Sequence, residues 1–194
     1  MDLGLQGKVA IVTGGSDGIG KAAAISMASE GAKVAIVGRT QSKLDDAVAE
    51  IKKASGGEAI GVAADVSVES DVKAMVEKVV SEYGKLDILV NNAGTSSSTT
   101  LEKMTDEDLK VDFGIKVYGA VYCARAALPH LKKSGAGAIV NTTTPGGKAA
   151  NPGSQPTSLS RAAGISLTKS WAGEFAKDNI RVNTVCVGVL KSGQ

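Results

Sequence analysis

The sequence is poor in aromatic residues, histidine and cysteine, and it has no long apolar run. Aromatic side chains make up 3% of the 194 residues, whereas apolar residues as a whole make up 43%. A core of this composition is built mainly from Ala, Val, Ile and Leu, which suits a parallel sheet covered by helices on both faces. The length is enough for one sizeable domain with its own core.

What is missing also disfavours several classes of protein. No stretch approaches the ~20 apolar residues of a membrane helix, so we expect no membrane partner. The net charge is +2 and no long basic run occurs, so we expect no nucleic-acid partner. The start Met1-Asp2-Leu3 carries an acid where a secretory leader needs basic residues, and we therefore expect a cytoplasmic protein.

Metal and disulfide chemistry are also disfavoured. The single histidine, His130, has no cysteine, histidine or carboxylate at ligand spacing, so we expect no metal site. Cys123 and Cys186 lie in apolar segments, which predicts buried free thiols. Chemistry in this chain is therefore expected from other side chains or from a bound small molecule.

The most informative stretch is a glycine-rich turn, Gly14-Gly15-Ser16-Asp17-Gly18-Ile19-Gly20. It follows an apolar run that predicts a strand, and it precedes a segment that predicts a helix. Unpaired N–H groups and the positive end of the dipole at such a helix start attract phosphate. Gly14 permits the tight turn, Gly18 lets the backbone approach a diphosphate, and Gly20 allows close helix–strand packing. The alternative is an ordinary glycine-rich loop.

Strand and helix patterns alternate along the rest of the chain. The predicted strands are Lys8–Thr13, Lys33–Val37, Ala59–Ala64, Leu86–Val90, Ala138–Thr142 and Arg181–Cys186. The predicted helices are Lys21–Ser29, Gln41–Ser55, one capped by Ser67, one from a Thr105/Asp108 capping box to about Lys132, and Thr157–Ala176. This alternation predicts an α/β fold, a Rossmann-type doubly wound parallel sheet of six strands with helices on both faces.

The end of the second predicted strand bears on which dinucleotide binds. An NAD site of this fold has an acidic residue there, but this chain has Gly38 followed by Arg39. A guanidinium can hold a 2′-phosphate through two parallel hydrogen bonds, and Thr40 adds a hydroxyl. The sequence therefore predicts NADP(H) as the cofactor in preference to NAD(H). The alternative is that Arg39 is a solvated surface residue, and Asp17 would mildly repel the extra phosphate.

Four motifs in this order and spacing identify a family resemblance. They are Thr13-Gly14-Gly15-Ser16-Asp17-Gly18-Ile19-Gly20, Asp65-Val66, Asn91-Asn92-Ala93-Gly94 and Ile180-Arg181-Val182-Asn183. From about residue 6 to its end, the chain resembles the short-chain dehydrogenase/reductase family. The resemblance implies an oxidoreductase that moves hydride between a nicotinamide cofactor and a carbonyl or alcohol, with a small molecule as substrate.

The resemblance also implies cofactor contacts. Asp65 and Val66 would contact the adenine, Asn92 and Ala93 would lie against ribose, and Leu190 would approach the nicotinamide. Such positions follow the carboxyl ends of strands, where open α/β sheets bind ligands. The complete expected cofactor-binding set is Gly14, Ser16, Asp17, Gly18, Ile19, Gly20, Arg39, Thr40, Asp65, Val66, Asn92, Ala93, Gly94 and Leu190.

The catalytic positions depart from the family pattern. Lys116 stands at the position of the family's Asn, Thr144 at its Ser, Thr157 at its Tyr and Arg161 at its Lys. The Tyr is the serious loss, because a phenol of pKa ~10 can be tuned toward neutrality and an aliphatic hydroxyl cannot. No other tyrosine replaces it, since regular helical spacing turns Tyr118 away from the Lys116 direction.

Two functions remain open for this altered site. In the first, Arg161 holds ribose and stabilises charge, Thr144 donates a hydrogen bond, and Lys116 becomes the acid because burial and a neighbouring cation lower its pKa. In the second, Lys116 reaches solvent or an acidic neighbour and does no chemistry. The protein is then a catalytically inactive NADP(H)-binding sensor or partner subunit.

Two further expectations follow from the resemblance. Family members usually continue beyond the sixth strand, so we expect 1–194 to be a single dinucleotide-binding domain that is C-terminally incomplete and lacks strand seven. Small residues such as Ala120, Ala124 and Gly164 fill two helices that in the family pack against a second subunit, which predicts a homo-oligomer, a dimer or tetramer. The alternative is that these helices pack only on their own sheet.

Overall fold

A computed structural model of the protein describes residues 3–188. Its strands are β1 Val9–Thr13, β2 Lys33–Gly38, β3 Ala59–Ala63, β4 Ile88–Asn91, β5 Ser98–Thr99, β6 Ala138–Thr143, β7 Gln155–Pro156 and β8 Arg181–Cys186. Its α-helices are α1 Gly18–Ser29, α2 Gln41–Ser55, α3 Glu69–Tyr83, α4 Asp106–Phe113, α5 Gly119–Ser134 and α6 Thr157–Phe175. A π-helical segment, Gly114–Tyr118, joins α4 to α5, and single 3₁₀ turns occur at Pro145–Gly147 and Ala176–Asp178.

Six strands form one sheet in the order β3-β2-β1-β4-β6-β8. Every neighbouring pair in it is parallel. The order reverses between β1 and β4, and a ligand crevice is expected beyond the carboxyl ends of the strands at such a point. The predicted Rossmann-type fold is confirmed, and no seventh strand of this sheet occurs within residues 3–188.

Two apolar cores cover the two faces of the sheet. On one face, α1 and α2 pack through Ala24, Ala28, Leu44 and Ile51 against β1 and β2. On the other face, α3, α5 and α6 bury residues that include Val76, Cys123, Leu131 and Phe175. Because both faces are covered, the central strands are mostly apolar, as in Val9–Thr13, where four apolar residues precede Thr13 and every residue is buried.

Asn91, Asn141 and Thr168 form a chain of side-chain hydrogen bonds from β4 through β6 to α6. The Asn91 Nδ2 group donates to Asn141 Oδ1 at 2.9 Å. The Asn141 Nδ2 group donates to the Thr168 hydroxyl at 2.9 Å, and that hydroxyl donates to the Gly164 carbonyl at 2.8 Å. All three side chains are buried, so the helix is tied to the sheet by polar contacts as well as by packing.

The long helix predicted as far as Lys132 is interrupted. In the π segment the Gly119 N–H donates to the Gly114 carbonyl, an i→i+5 bond that widens the turn. Two short strands outside the main sheet, β5 before this region and β7 after it, pair with each other antiparallel. Hydrophobic periodicity does not distinguish a π turn from an α turn over five residues, so the sequence gives no sign of it.

Three local expectations have different outcomes. The Thr105/Asp108 capping box is present at the start of α4. Ser67 does not cap α3, because both its N–H and its hydroxyl donate to Asp65 Oδ1. Cys123 is buried as predicted, but the expected burial of Cys186 is wrong, because it lies exposed at the end of the outermost strand β8.

No helix among residues 3–188 is both long enough and apolar enough to cross a membrane. The same residues contain no group of three or more His, Cys, Asp or Glu side chains that could hold a metal ion.

Candidate active site

The glycine-rich turn between β1 and α1 is held by backbone contacts. The Gly14 and Gly15 N–H groups donate to the Val37 carbonyl at 2.8 and 3.2 Å, which anchors the turn to β2. Gly14 and Gly18 have φ of +65° and +53°, values that favour glycine. A Cβ added to Gly20 would collide with the Gly14 carbonyl oxygen, whereas one on Gly18 would meet nothing within 4 Å. The backbone of the turn is therefore tightly packed against the protein at Gly20, whereas at Gly18 it has open space beside it.

Asp17 forms the N-cap of α1. Its Oδ1 accepts the Gly18 N–H at 2.7 Å, and the residue is exposed beside Ile19 at the edge of the turn. The carboxylate therefore holds one of the N–H groups at the helix start that would otherwise be offered to an anion.

Thr13 links the turn to the end of β4, a role that the sequence reading missed. Its hydroxyl accepts the N–H groups of Asn92 and Ala93 at 2.9 and 3.0 Å. The Asn92 Nδ2 group donates back to the carbonyls of Thr13 and Gly14 at 3.0 and 3.2 Å. Asn92 is thus engaged with the turn, and it also lines the cleft described below.

The residues expected to bind the adenosine end line a cavity of ≈ 200 Å³. Its lining residues are Gly14, Ser16, Asp17, Val37, Gly38, Arg39, Ala64, Asp65, Val66, Ala93, Gly94, Thr95 and Ile115. Hydrogen bonds from the Ser67 hydroxyl and N–H hold the pKa of Asp65 below its usual range, although partial burial opposes this. The positive charge of Arg39 lowers the pKa further. Thr40, also expected to bind the cofactor, does not line this cavity. It is the N-cap residue of α2, and its side chain makes no capping hydrogen bond.

A second cavity of ≈ 330 Å³ lies on the other side of the turn. Its lining residues are Gly14, Asp17, Gly18, Ile19, Asn92, Gly94, Thr95, Ser96, Thr142, Thr143, Thr144, Thr157, Arg161, Val187 and Gly188. Gly14, Asp17, Gly94 and Thr95 line both cavities, so the two are parts of one cleft. A cleft of this size with the glycine turn at its centre fits a dinucleotide, whose diphosphate would lie at Gly18.

Buried Lys116 and Asp112 form a polar cluster with half-buried Thr157 beside this second cavity. The Lys116 ammonium pairs with Asp112 Oδ1, and each of these side chains is only 1% exposed. Lys116 Nζ also donates to the Thr157 hydroxyl at 2.9 Å. Burial lowers the pKa of Lys116, reinforced by the Arg161 charge and opposed by Asp112. Lys116 therefore has the acidic neighbour that was one of the two alternatives.

Arg161 lies between the cluster and the cleft. Its Nη1 donates to the Thr142 carbonyl at 2.6 Å, and it lines the second cavity together with Thr144 and Thr157. A Cβ on Gly94 would lie 2.9 Å from Arg161 Nη2, so the guanidinium packs closely on the Gly94 backbone. Burial lowers the pKa of Arg161, but a guanidinium remains protonated at neutral pH.

The structure thus brings Lys116, Thr144, Thr157 and Arg161 to one end of the cleft. Leu190, expected near the nicotinamide, lies outside the described residues. Tyr118 is exposed and stacks on Tyr122 with 6.3 Å between the ring centroids. Neither tyrosine is therefore placed to act as the proton donor in the cluster. Asp112 was missed, although its position one helical turn before Lys116 was a usable signal.

Curated proteins of related sequence are oxidoreductases. The chain is 37% identical over 190 residues to a 3-oxoacyl-(acyl-carrier-protein) reductase, FabG, of Thermotoga maritima, covering 97% of this chain and 76% of that protein. It is 39% identical over 190 residues to an uncharacterized oxidoreductase of the same organism, covering 98% of this chain and 74% of that protein.

Solved structures agree with this relationship. L-Sorbose reductase from Gluconobacter frateurii, complexed with NADPH and L-sorbose, matches with a TM-score of 0.96 at 37% identity, covering 100% of this chain and 73% of that one. NAD⁺-bound xylitol dehydrogenase matches with a TM-score of 0.93 at 33% identity, covering 97% and 73%. The model of the short chain dehydrogenase family matches residues 8–194. Sheet order, cleft and relatives agree, and the chain belongs to the short-chain dehydrogenase family.

Proposed function

We propose that this chain is an oxidoreductase that uses NADP(H) to interconvert a small carbonyl compound and its alcohol at a non-standard active site. The observation that carries the proposal is the continuous cleft, which runs from Arg39 past the glycine turn to Thr157 and Arg161. A related protein of similar structure was solved with NADPH and a sugar that carries a carbonyl group. When bound, the nicotinamide gives or takes the hydride at the substrate carbon.

The residues at the reacting end have distinct roles in this proposal. Arg161 places a permanent positive charge beside the cleft, where it would hold ribose and stabilise negative charge on the substrate oxygen. Thr144, half-buried at the end of β6, is in a position to donate a hydrogen bond to the same oxygen. Neither group has a pKa suited to giving up a proton at neutral pH, so the proton comes from another group.

The preference for NADP(H) rests on the end of β2. Arg39 is exposed, lines the adenosine-side cavity beside Gly38 and Ser16, and forms no ion pair closer than 4 Å with a described residue. Its guanidinium is free to bind a 2′-phosphate there, and no carboxylate follows β2 to bind an unmodified ribose. One relative of this fold was solved with NADPH and another with NAD⁺, so the fold alone does not determine which cofactor binds. The proposed preference therefore rests on the residues at the end of β2.

Titration calorimetry with NADPH and NADH tests the preference. Arg39→Ala should weaken NADPH binding by about 1.5–3 kcal/mol, the value of a charged hydrogen bond, and should leave NADH binding unchanged. Lys43→Ala is the matched control, because Lys43 is an exposed cation on the first turn of α2 that does not line the cavity. Equal affinity of the wild-type protein for the two cofactors would contradict the proposal.

A non-catalytic NADP(H)-binding role is the second candidate. One observation favours it: the Lys116 ammonium and the Thr157 hydroxyl are bonded to each other, and Lys116 is paired with Asp112. Such a site could bind cofactor and sense its redox state without turnover. A spectrophotometric screen of carbonyls and alcohols separates the two candidates, because a sensor binds NADPH and never consumes it.

We further propose a homo-oligomer formed through α5 and α6, in a cytoplasmic, reducing environment. Tyr118, directly before α5, and Leu159, on α6, are 56% and 44% exposed, so both elements leave a large apolar side chain uncovered. Both described cysteines are unpaired, as is usual in reducing compartments. Light scattering on the full-length protein tests the assembly, and a monomer mass would contradict it.

A further inference from the structure

We propose that Thr157 relays a proton from Lys116 to the substrate oxygen, and that Asp112 is the positioning residue that holds the Lys116 ammonium against Thr157. This inference rests on the proposed oxidoreductase function. It replaces direct donation by Lys116 with a two-step path through a hydroxyl group.

Lys116 lies behind the cleft. Its side chain is 1% exposed and lines a small cavity of ≈ 20 Å³, which shares Thr142, Thr143 and Arg161 with the second cavity and has room for about one water molecule. Because Lys116 does not line the second cavity itself, a substrate held there would not contact the ammonium directly. Thr157 does line the cleft, and its Oγ1 accepts a hydrogen bond from Lys116 Nζ at 2.9 Å. The hydroxyl therefore stands between the buried cation and the space where a substrate oxygen would be held.

The directions of the hydrogen bonds at Thr157 favour the relay. Thr157 Oγ1 accepts from Lys116 Nζ and, at 3.3 Å, from the Ser97 N–H. With both lone pairs engaged, the hydroxyl must use its own hydrogen as a donor. The described acceptor for that hydrogen is Asp112 Oδ1 at 3.4 Å, a long bond that a negatively charged substrate oxygen would readily replace.

The proton balance removes the difficulty raised by the missing tyrosine. As the substrate oxygen becomes negative, it takes the hydrogen of Thr157 Oγ1, and Oγ1 takes a proton from Lys116 Nζ in the same event. Thr157 starts and ends as a neutral hydroxyl, so its high pKa is no obstacle. Lys116 ends as a neutral amine, and water entering the cleft after product release returns the proton along the same path.

The Asp112 carboxylate is only partly paired. Its Oδ1 pairs with Lys116, while its Oδ2 is buried without a hydrogen-bond partner among residues 3–188. A half-satisfied buried carboxylate is costly and gives weak support to stability, so a positioning role accounts for it better than a structural one. The π segment that carries Lys116 agrees with this, because such segments are frequent at functional sites.

Thr157→Val and Thr157→Ser form the decisive pair of variants. Valine keeps the shape and removes the hydroxyl, so turnover should fall by about 10²–10⁴-fold, the usual contribution of acid catalysis. Serine keeps the hydroxyl and should remain within about tenfold of wild type. Both should bind NADPH with wild-type affinity. Retained turnover in Thr157→Val would overturn the relay while leaving the proposed function intact. A wild type that binds NADPH but reduces nothing would overturn both.

Asp112→Asn tests the positioning role with a readout that does not depend on turnover. In protein labelled with ¹⁵N-lysine, the Nζ resonance of Lys116 reports its protonation as the pH is raised. The charged groups that act on Lys116 are Asp112 from α4 and Arg161 from α6. Removing the carboxylate should move the Lys116 titration about one to three pH units lower. The alkaline limb of the pH–rate profile should move with it. If neither the Lys116 titration nor the alkaline limb of the pH–rate profile moves, the positioning role of Asp112 is overturned.

Discussion

The two ends of the cleft are built in different ways. At the cofactor end, the turn after β1 is shaped by backbone hydrogen bonds and by glycines that lack a Cβ, and its charged groups, Asp17 and Arg39, are exposed. At the catalytic end, Asp112, Lys116 and Arg161 are charged side chains from α4, the π segment and α6, and they are largely removed from water. The shape of the turn is set by residues next to one another in the sequence, whereas each buried charge is stabilised by the other charges. Side-chain substitutions near the turn should therefore be tolerated better than substitutions of the buried charged residues.

Removing Asp112 should have the largest effect on stability. Asp112→Ala leaves the Lys116 ammonium buried without its counterion, and loss of one partner of a buried pair typically costs about 3–5 kcal/mol. The double variant Asp112→Leu with Lys116→Met should recover most of this free energy. Urea unfolding measures both. Glu69→Ala, which breaks the exposed pairs with Lys73 and Arg125, is the control and should cost about 1 kcal/mol. Equal losses from Asp112→Ala and Glu69→Ala would contradict the contrast.

The corresponding change at the cofactor end is Gly20→Ala. Its Cβ would press against the Gly14 carbonyl, and overpacking of this kind costs about 1–3 kcal/mol. NADPH affinity should fall as well, because the turn must move. Gly173→Ala is the matched control, because a Cβ on this glycine of α6 meets nothing within 4 Å and should stabilise the protein by about 0.5–1 kcal/mol. Unchanged NADPH binding in Gly20→Ala would show that the turn has room to adjust.

These two ends also differed in how far the sequence could predict them. Gly14, Gly18 and Gly20 lie within seven residues of one another, so their spacing and the adjacent strand and helix patterns predicted the turn. The cluster of Lys116 and Thr157 joins residues 41 positions apart, and its geometry depends on a π turn that no pattern reveals. The resemblance named these positions without their contacts. It also gave no role to Asp112, which decides how Lys116 is oriented.

Stability should depend on alkaline pH through Lys116. Its folded-state pKa lies below the ordinary 10.5, because burial is the largest influence. As the pH rises, the folded protein loses this proton first, so unfolding takes up a proton between the two pKa values. Stability should therefore rise with pH in that interval, relative to Lys116→Met, by at most about 1.4 kcal/mol per pH unit. Unfolding free energies of both proteins from pH 7 to 10 check this, and parallel curves would contradict it.

The smallest expected effect is at Asp17. Asp17→Ser keeps a capping side chain for α1 and removes a negative charge beside the phosphate turn. NADPH should bind about two- to fivefold more tightly, consistent with an exposed like charge worth about 1 kcal/mol or less. The gain should shrink when the salt concentration is raised from 0.05 to about 0.5 M. A gain that does not depend on salt would point to a change in the shape of the turn.

The chain of hydrogen bonds through Asn91, Asn141 and Thr168 has a consequence for motion. Helix α6 cannot roll about its axis without breaking the bond from Asn141 to Thr168, and that bond is buried. Rotation of Thr157 and Arg161 with this helix would therefore break a buried hydrogen bond, which favours their moving together with strands β4 and β6. Amide hydrogens in the second half of α6 should accordingly be among the last to exchange with solvent.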